Sequence, residues 1–280
     1  MRNEAGKTVN ALFADDAEFT PHETLLEQLK RKKCKLNLKS VGLRSMTPAE
    51  IYKDRMDTVV MVGVVYHCKS EKCKKNHFNP ASGVIIHEDG IVLTNHHVVK
   101  SKTSKLVSMA VRTFDGKAYL VEEVLAADAV NDVAILKLKD AKGLPAAPVF
   151  RDEPVGSPVT LITHPTGNFY TLSMGYVSRY SKGSKGRQIM NVTADYAKGS
   201  SGGPIFNDRG DVVGLVSSTQ SVTYTTVPLS FDPETKALMV REKGKPLVEY
   251  GGRKIALTMN HQMTFKNTVP SRCILDLIEE

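Results

Sequence analysis

Three short segments hold the residue types that nucleophilic acyl chemistry requires. The first is Gly199-Ser200-Ser201-Gly202-Gly203-Pro204. A serine hydroxyl is a weak nucleophile and needs a base beside it, together with N–H donors aimed at the oxyanion that develops on the attacked carbonyl. Glycines around the serine let the backbone turn tightly enough to point the N–H groups of Gly199 and Ser201 at one spot. The second segment, Leu93-Thr94-Asn95-His96-His97-Val98-Val99, ends a β-hairpin strand, where a histidine held by the sheet can reach across a cleft. The third, Asn131-Asp132-Val133-Ala134-Ile135-Leu136, sets one carboxylate at the start of an apolar strand, partly buried and in need of a partner. A neutral imidazole with one nitrogen held by a carboxylate is the tautomer that can take a serine proton. Singly, each segment has a plainer explanation: a Gly/Ser turn, a surface histidine, a turn-forming Asp. All three in the order His, Asp, Ser are much harder to obtain by accident.

Strands must position these groups. From Thr58 onward the chain runs in short stretches rich in Val and Ile, among them TVVMVGVVYH, SGVIIHEDGIVLTN, DVAILKLK, SPVTLITHP, TLSMGYVSRY, DVVGLVSST and KIALTMN, separated by Gly, Asn, Asp and Pro. Many short strands at such spacing indicate a sandwich or barrel rather than βαβ units. Asp-Gly turns at His87–Gly90 and Phe114–Lys117 are of the hairpin kind. Ahead of the strands, residues 1–55 are polar and contain Thr20-Pro21-His22-Glu23 and Thr47-Pro48-Ala49-Glu50. In each, Thr can cap, Pro suits the first helical position and Glu can complete a capping box, which predicts helices over about 21–33 and 48–55. A closing helix is expected over 271–278 with Ser271 as its cap.

Composition excludes several classes. With 41% hydrophobic and 24% charged residues the chain is globular rather than disordered. The formal net charge of +8 raises the question of nucleic acid, but no basic stripe interleaved with aromatic residues is present. The lysine clusters at Lys30–Lys35, Lys69–Lys75 and Lys182–Arg187 read as solvated helix ends or loops. No apolar run reaches eighteen residues, so a membrane span is not expected, and the first ten residues lack the apolar core of a signal peptide. The four cysteines suit two disulfides, Cys68 with Cys73 and Cys34 with Cys273, or four thiols. His67, Cys68, Cys73 and His77 also admit a zinc reading, but the four-residue gap between the cysteines and their flanking histidines favour a disulfide hairpin. His164-Pro165-Thr166-Gly167 reads as a turn.

The segments SGVIIHEDGIVLTNHHVV, NDVAILKLK and GSSGGPIFNDRGDVVGLVSS resemble, in sequence and order, the trypsin-like serine proteases of bacteria, and the HtrA-type protease domain most of all. The resemblance covers about residues 56–225. It implies an all-β chymotrypsin-like fold of two six-stranded barrels over 56–280, preceded by a helical extension over 1–55. It implies His97 rather than His96 as base, since the family's histidine directly precedes Val-Val, Asp132 as its partner, Ser201 as nucleophile, and Gly199 with Ser201 as oxyanion hole. The family's usual PDZ module is not expected, because about 55 residues follow Thr225. Digestive enzymes of this fold place an Asp before the nucleophile to pair with a freshly cut N-terminus; Ser200 stands there here, so activation of that type is not expected.

Substrate-binding candidates are Asp195, Ser217 and Thr219. Asp195 lies six residues before Ser201, where the resemblance to trypsin-like enzymes implies a carboxylate that selects Arg or Lys, although it can equally be a turn residue or bond Lys198. Thr219 would narrow a pocket mouth. The expected activity is hydrolysis of peptide bonds in protein substrates through an acyl-enzyme, without metal or organic cofactor. A latent or inactive member of the fold that binds peptides or a protein partner is the alternative; an esterase is disfavoured by the absence of a strand-to-helix GxSxG elbow. The resemblance and the even cysteine count suggest a periplasmic or secreted protein whose leader is missing, with a cytoplasmic location also open.

Overall fold

The computed structural model of the chain describes residues 2–13, 17–68, 75–225, 247–250, 253–256 and 259–279. In chain order the elements are α1 (Arg2–Ala11), α2 (His22–Gln28), β1 (Cys34–Lys35), α3 (Pro48–Arg55), β2 (Val59–His67), β3 (Asn76–His87), β4 (Ile91–Thr94), α4 (His96–Val99), β5 (Leu106–Arg112), β6 (Ala118–Asp128) and β7 (Val133–Leu138). There follow β8 (Pro158–Thr163), β9 (Thr171–Lys182), β10 (Gln188–Val192), β11 (Pro204–Phe206), β12 (Val212–Thr225), β13 (Leu247–Tyr250), β14 (Arg253–Ala256), β15 (Met259–Pro270), α5 (Arg272–Leu275) and β16 (Ile278–Glu279).

Two closed six-stranded barrels form, β2-β3-β4-β7-β6-β5 and β10-β15-β12-β11-β8-β9. This is the chymotrypsin-like architecture. The run VVMVGVVYH does not alternate because both faces of β2 are covered. Val60, Val62 and Val64 pack with the first barrel's apolar cluster. Val59 and Met61 pack instead with Ile162, Phe206 and Leu215 of the second barrel. A strand buried on both sides loses the period-two signal and reads as a continuous apolar stretch. Both expected hairpin turns are present, with Gly90 at φ 76° and Gly116 at φ 93°, in the left-handed region that glycine enters without steric cost.

By contact the chain divides into two units, Met1–Ser218 with Lys266–Glu280, and Thr219–Phe265. Within the smaller unit β13 and β14 form an antiparallel hairpin with Leu247 opposite Ala256, and the hydroxyls of Ser221 and Thr264 lie 3.4 Å apart.

The N-terminal helices pack on the larger unit. The capping box of α3 is complete: Thr47 accepts from the Glu50 N–H and the Glu50 carboxylate accepts from the Thr47 N–H. The other box does not form. Helix α2 stops at Gln28, and the Thr20 hydroxyl donates instead to the Glu122 carbonyl at 2.7 Å. A tertiary bond thus outcompetes a local cap. Helix α1 carries no cap or proline signal and was not expected; it is held by Ala5 and Val9, both fully buried. At the other terminus α5 covers only Arg272–Leu275, and the chain then extends so that β16 pairs in parallel with β1. Ser271 does not cap α5 with its side chain; its hydroxyl donates to Asp152 at 3.2 Å.

Candidate active site

His97 lies on α4, a single turn of helix that begins after Asn95 at the end of β4. Val98 and Val99 are buried in the first barrel's apolar cluster, so the turn is anchored and His97 stands on its exposed side. A second anchor comes from α2, where the buried His22 donates through Nε2 to the Val99 carbonyl at 2.8 Å.

Asp132 faces His97 from the start of β7. Its backbone adopts φ 65°, a left-handed conformation that Asp tolerates better than most residues. The preceding turn is stapled by Asp128, which accepts from the N–H groups of Val130 and Asn131. The Asn95 side chain donates to the Asp132 carbonyl at 2.9 Å. The carboxylate accepts from the His97 backbone N–H at 3.0 Å, from His97 Nδ1 at 2.8 Å and from the Ser217 hydroxyl at 2.6 Å. Burial alone would raise the pKa of this carboxyl, but the bonds and charge interaction with His97 and the bond from Ser217 outweigh it and hold the group below its ordinary range. It is His97, and not His96, whose imidazole meets Asp132.

Ser201 lies in the loop between β10 and β11, in the second barrel. Gly199, at φ 100°, has the His164 carbonyl 2.5 Å from where a Cβ would stand, and Gly202, at φ 79°, has Thr94 Oγ1 at 2.3 Å and the Ser82 carbonyl at 2.4 Å. Neither position accepts a side chain. Ser82 of β3 clamps this loop across the barrels: its N–H donates to the Ser201 carbonyl at 2.9 Å and its hydroxyl to the Gly199 carbonyl at 2.9 Å. Among the described residues, the N–H groups of Gly199 and Ser201 donate to no protein acceptor, unlike those of Ser200, Gly202 and Gly203. Ser200 is fully buried and its hydroxyl accepts from Thr163 at 3.0 Å.

His97, Gly199 and Ser201 line one cavity of about 560 Å³. The Ser201 hydroxyl points at the Ser217 carbonyl, 3.4 Å away, and not at the imidazole; among the described residues no Ser201–His97 hydrogen bond is formed. Loose contacts of this kind are common in ligand-free sites and tighten when substrate binds.

The substrate-binding candidates are distributed differently. Asp195 is 92% exposed and pairs with Lys266 at 3.1 Å, neither at the base of the cavity nor bonded to Lys198. The exposed carboxylate meets Lys266 instead of turning inward. Ser217 holds Asp132 with its hydroxyl and accepts from Arg187 at 2.7 Å. Thr219 is exposed and belongs to the smaller unit. Sequence reasoning missed Arg187, whose guanidinium lies 3.8 Å from the Asp132 carboxylate. In the sequence it stands at the end of a lysine-rich run that reads as a solvated loop, and nothing local distinguishes it. His164, read as a turn residue, is buried; Nδ1 accepts from the Tyr170 N–H at 3.1 Å and Nε2 has no partner among the described residues. Cys34 and Cys273 carry unbridged thiols rather than a disulfide. Cys73 falls outside the described residues, as does any pairing with Cys68.

Residues 81–215 match the trypsin-like peptidase domain. Among curated relatives, serine protease HTRA1 of Xenopus laevis is 34% identical over 136 residues, which is 48% of this chain and 28% of that protein. Putative serine protease HhoA of Synechocystis sp. is 33% identical over 145 residues, 48% of this chain and 35% of the relative. A probable periplasmic serine endoprotease, DegP-like, of Ectopseudomonas mendocina is 35% identical over 175 residues, 59% of this chain and 35% of the relative. The matches thus span about a third of the relatives' length or less. Among solved structures, the HtrA-type protease AlgW with decapeptide aligns with TM-score 0.57 at 18% identity over 82% of this chain and 66% of the other, a likeness of fold.

Proposed function

We propose that this chain, which carries a trypsin-like peptidase domain over residues 81–215, is a serine endopeptidase that works through an acyl-enzyme. Ser201 attacks the scissile carbonyl, His97 takes the hydroxyl proton and delivers it to the leaving amine, and Asp132 fixes the imidazole tautomer. The N–H groups of Gly199 and Ser201 receive the oxyanion. Water then attacks the ester, with His97 again as base, and regenerates Ser201. The observation that carries this reading is the orientation of His97. Its Nδ1 donates to Asp132 at 2.8 Å, so Nε2 is the free basic nitrogen, in a cavity shared with Ser201 and two unpaired N–H donors.

In this reading residues 56–280 are the protease domain and residues 1–55 a helical extension that braces it. Protein or peptide substrates follow from the domain. A periplasmic or secreted location is proposed from the DegP-like relatives, whose name carries it. Among the described residues no helix is long and apolar enough to cross a membrane.

One observation favours a second reading, a latent form of the same enzyme: the Ser201 hydroxyl bonds the Ser217 carbonyl and not His97. The experiment that separates the two is casein cleavage by wild type and Ser201→Ala, with fluorophosphonate labelling alongside. An active enzyme cuts and labels at Ser201, and the substitution lowers the rate by about 10⁴-fold or more. Absence of both cleavage and label in the wild type refutes the active reading.

A further inference from the structure

The rim of the cavity beside Ser201 carries three lysines from two stretches of chain. Lys100 ends α4, Lys102 follows it in the loop before β5, and Lys198 directly precedes Gly199. All three are exposed. Among the described residues none of them makes an ion pair. No Asp or Glu lines the cavity. Elsewhere on this unit Lys266 pairs with Asp195 and Lys117 with Asp115. On the opposite side of His97 the cation Arg187 is likewise engaged, by Ser217 and Asp132.

A concave wall of one sign focuses the field and concentrates ligands of the other sign. We propose that this cleft selects polypeptide segments bearing Asp or Glu within a few residues of the scissile bond, held by Lys100, Lys102 and Lys198. The apolar remainder of the wall, Val64, Val98 and Phe169 among it, accommodates the aliphatic part of the same segment. The inference rests on the peptidase reading for the position of the scissile bond; the acidic preference itself is a property of binding. An exposed ammonium–carboxylate pair is worth roughly 1.5- to 5-fold in affinity, so two or three such pairs give about tenfold.

The test uses the full chain carrying Ser201→Ala and two fluorescein-labelled unstructured peptides, one with Asp and Glu flanking its centre and one with Asn and Gln in their places. Fluorescence anisotropy should show the acidic peptide bound about tenfold more tightly at about 0.05 M salt, with the difference nearly gone at about 0.5 M. Adding Lys100→Gln, Lys102→Gln and Lys198→Gln together should abolish the preference, and Lys198→Gln alone should weaken it. Equal binding of the two peptides, binding of neither, or a preference that survives the triple substitution overturns the proposal. Fluorophosphonate labelling of the wild type reads the peptidase assignment separately. Label without acidic preference sinks this inference alone; acidic preference without label sinks catalysis and leaves the binding site.

Discussion

The Ser217 hydroxyl donates to Oδ2 of Asp132 at 2.6 Å, in the second barrel's hold on a residue of the first. The same hydroxyl accepts from Arg187 at 2.7 Å, so the carboxylate that orients His97 is fixed from both barrels at once. Ser217→Ala removes a bond to a charged acceptor, which is worth about 1.5–3 kcal/mol. The expected outcome is a fall in kcat/KM of roughly tenfold to a hundredfold with the fold intact, read by peptide cleavage beside circular dichroism. An unchanged kcat/KM would show that His97 alone suffices to hold Asp132.

Gly202 should not tolerate a methyl group. At φ 79°, with Thr94 Oγ1 and the Ser82 carbonyl under 2.5 Å from the added atom, Gly202→Ala must displace strands β3 and β4. A loss of about 2–4 kcal/mol is expected from the combined backbone and steric cost. Urea unfolding of the purified variant measures it.

Asp195 should be dispensable. The carboxylate of the Asp195–Lys266 pair is exposed, and the Lys266 ammonium is also held by the Tyr196 carbonyl, so the pair contributes about 0–1 kcal/mol; the carboxylate does not line the cavity. Asp195→Ala should leave thermal stability and the residues chosen at the cleavage site unchanged. Mass spectrometry of casein fragments checks this, and a loss of cuts after Lys or Arg would mean that Asp195 reaches the substrate after all.

Stability should decline with acid through His164. Burial pushes its pKa down from 6.5 to about 4, so the folded chain keeps the imidazole neutral where the unfolded chain protonates it. Above the unfolded value neither state binds the proton and there is no penalty. As pH falls from 6.5 toward 4 the unfolded state gains protons that the folded state does not, which costs about 1.4 kcal/mol per pH unit. Urea unfolding at about pH 7.5 and about pH 5 should show a drop of roughly 2 kcal/mol from this group, and His164→Gln should flatten that part of the profile. An identical pH dependence in the variant would assign the drop to other groups.

Helix α2 should contribute stability to the barrel it covers. Leu25 is fully buried among Val60, Val62 and other members of the first barrel's cluster. Leu25→Ala is expected to cost about 2–5 kcal/mol, measured by the same unfolding assay. A cost under about 1 kcal/mol would mean that the extension is only loosely attached.

Much of the fold was legible because it rests on local chemistry. Asp-Gly turns at Gly90 and Gly116, short valine-rich strands and the box at Thr47–Glu50 each depend on neighbours in the chain, and each formed as expected. What failed were features that depend on distant partners. Thr20 gave up its cap for the Glu122 carbonyl, α1 formed without a start signal because Ala5 and Val9 found apolar cover, and the final residues became a strand because β1 offered an edge.

The candidate site divides the same way. Which residues could do chemistry was readable from the chain, since the glycines around Ser201 and the valines after His97 impose their backbone geometry locally, and motif order narrowed the reading further. Which groups meet was set by how the two barrels pack. The fold brought Asp132 to Nδ1 of His97, added Ser217 and Arg187 behind the carboxylate, and turned Asp195 outward to Lys266. The physical reason is that hydrogen bonds and ion pairs are won by whichever partner lies within about 3–4 Å, and across two barrels that distance is set by packing and not by spacing along the chain.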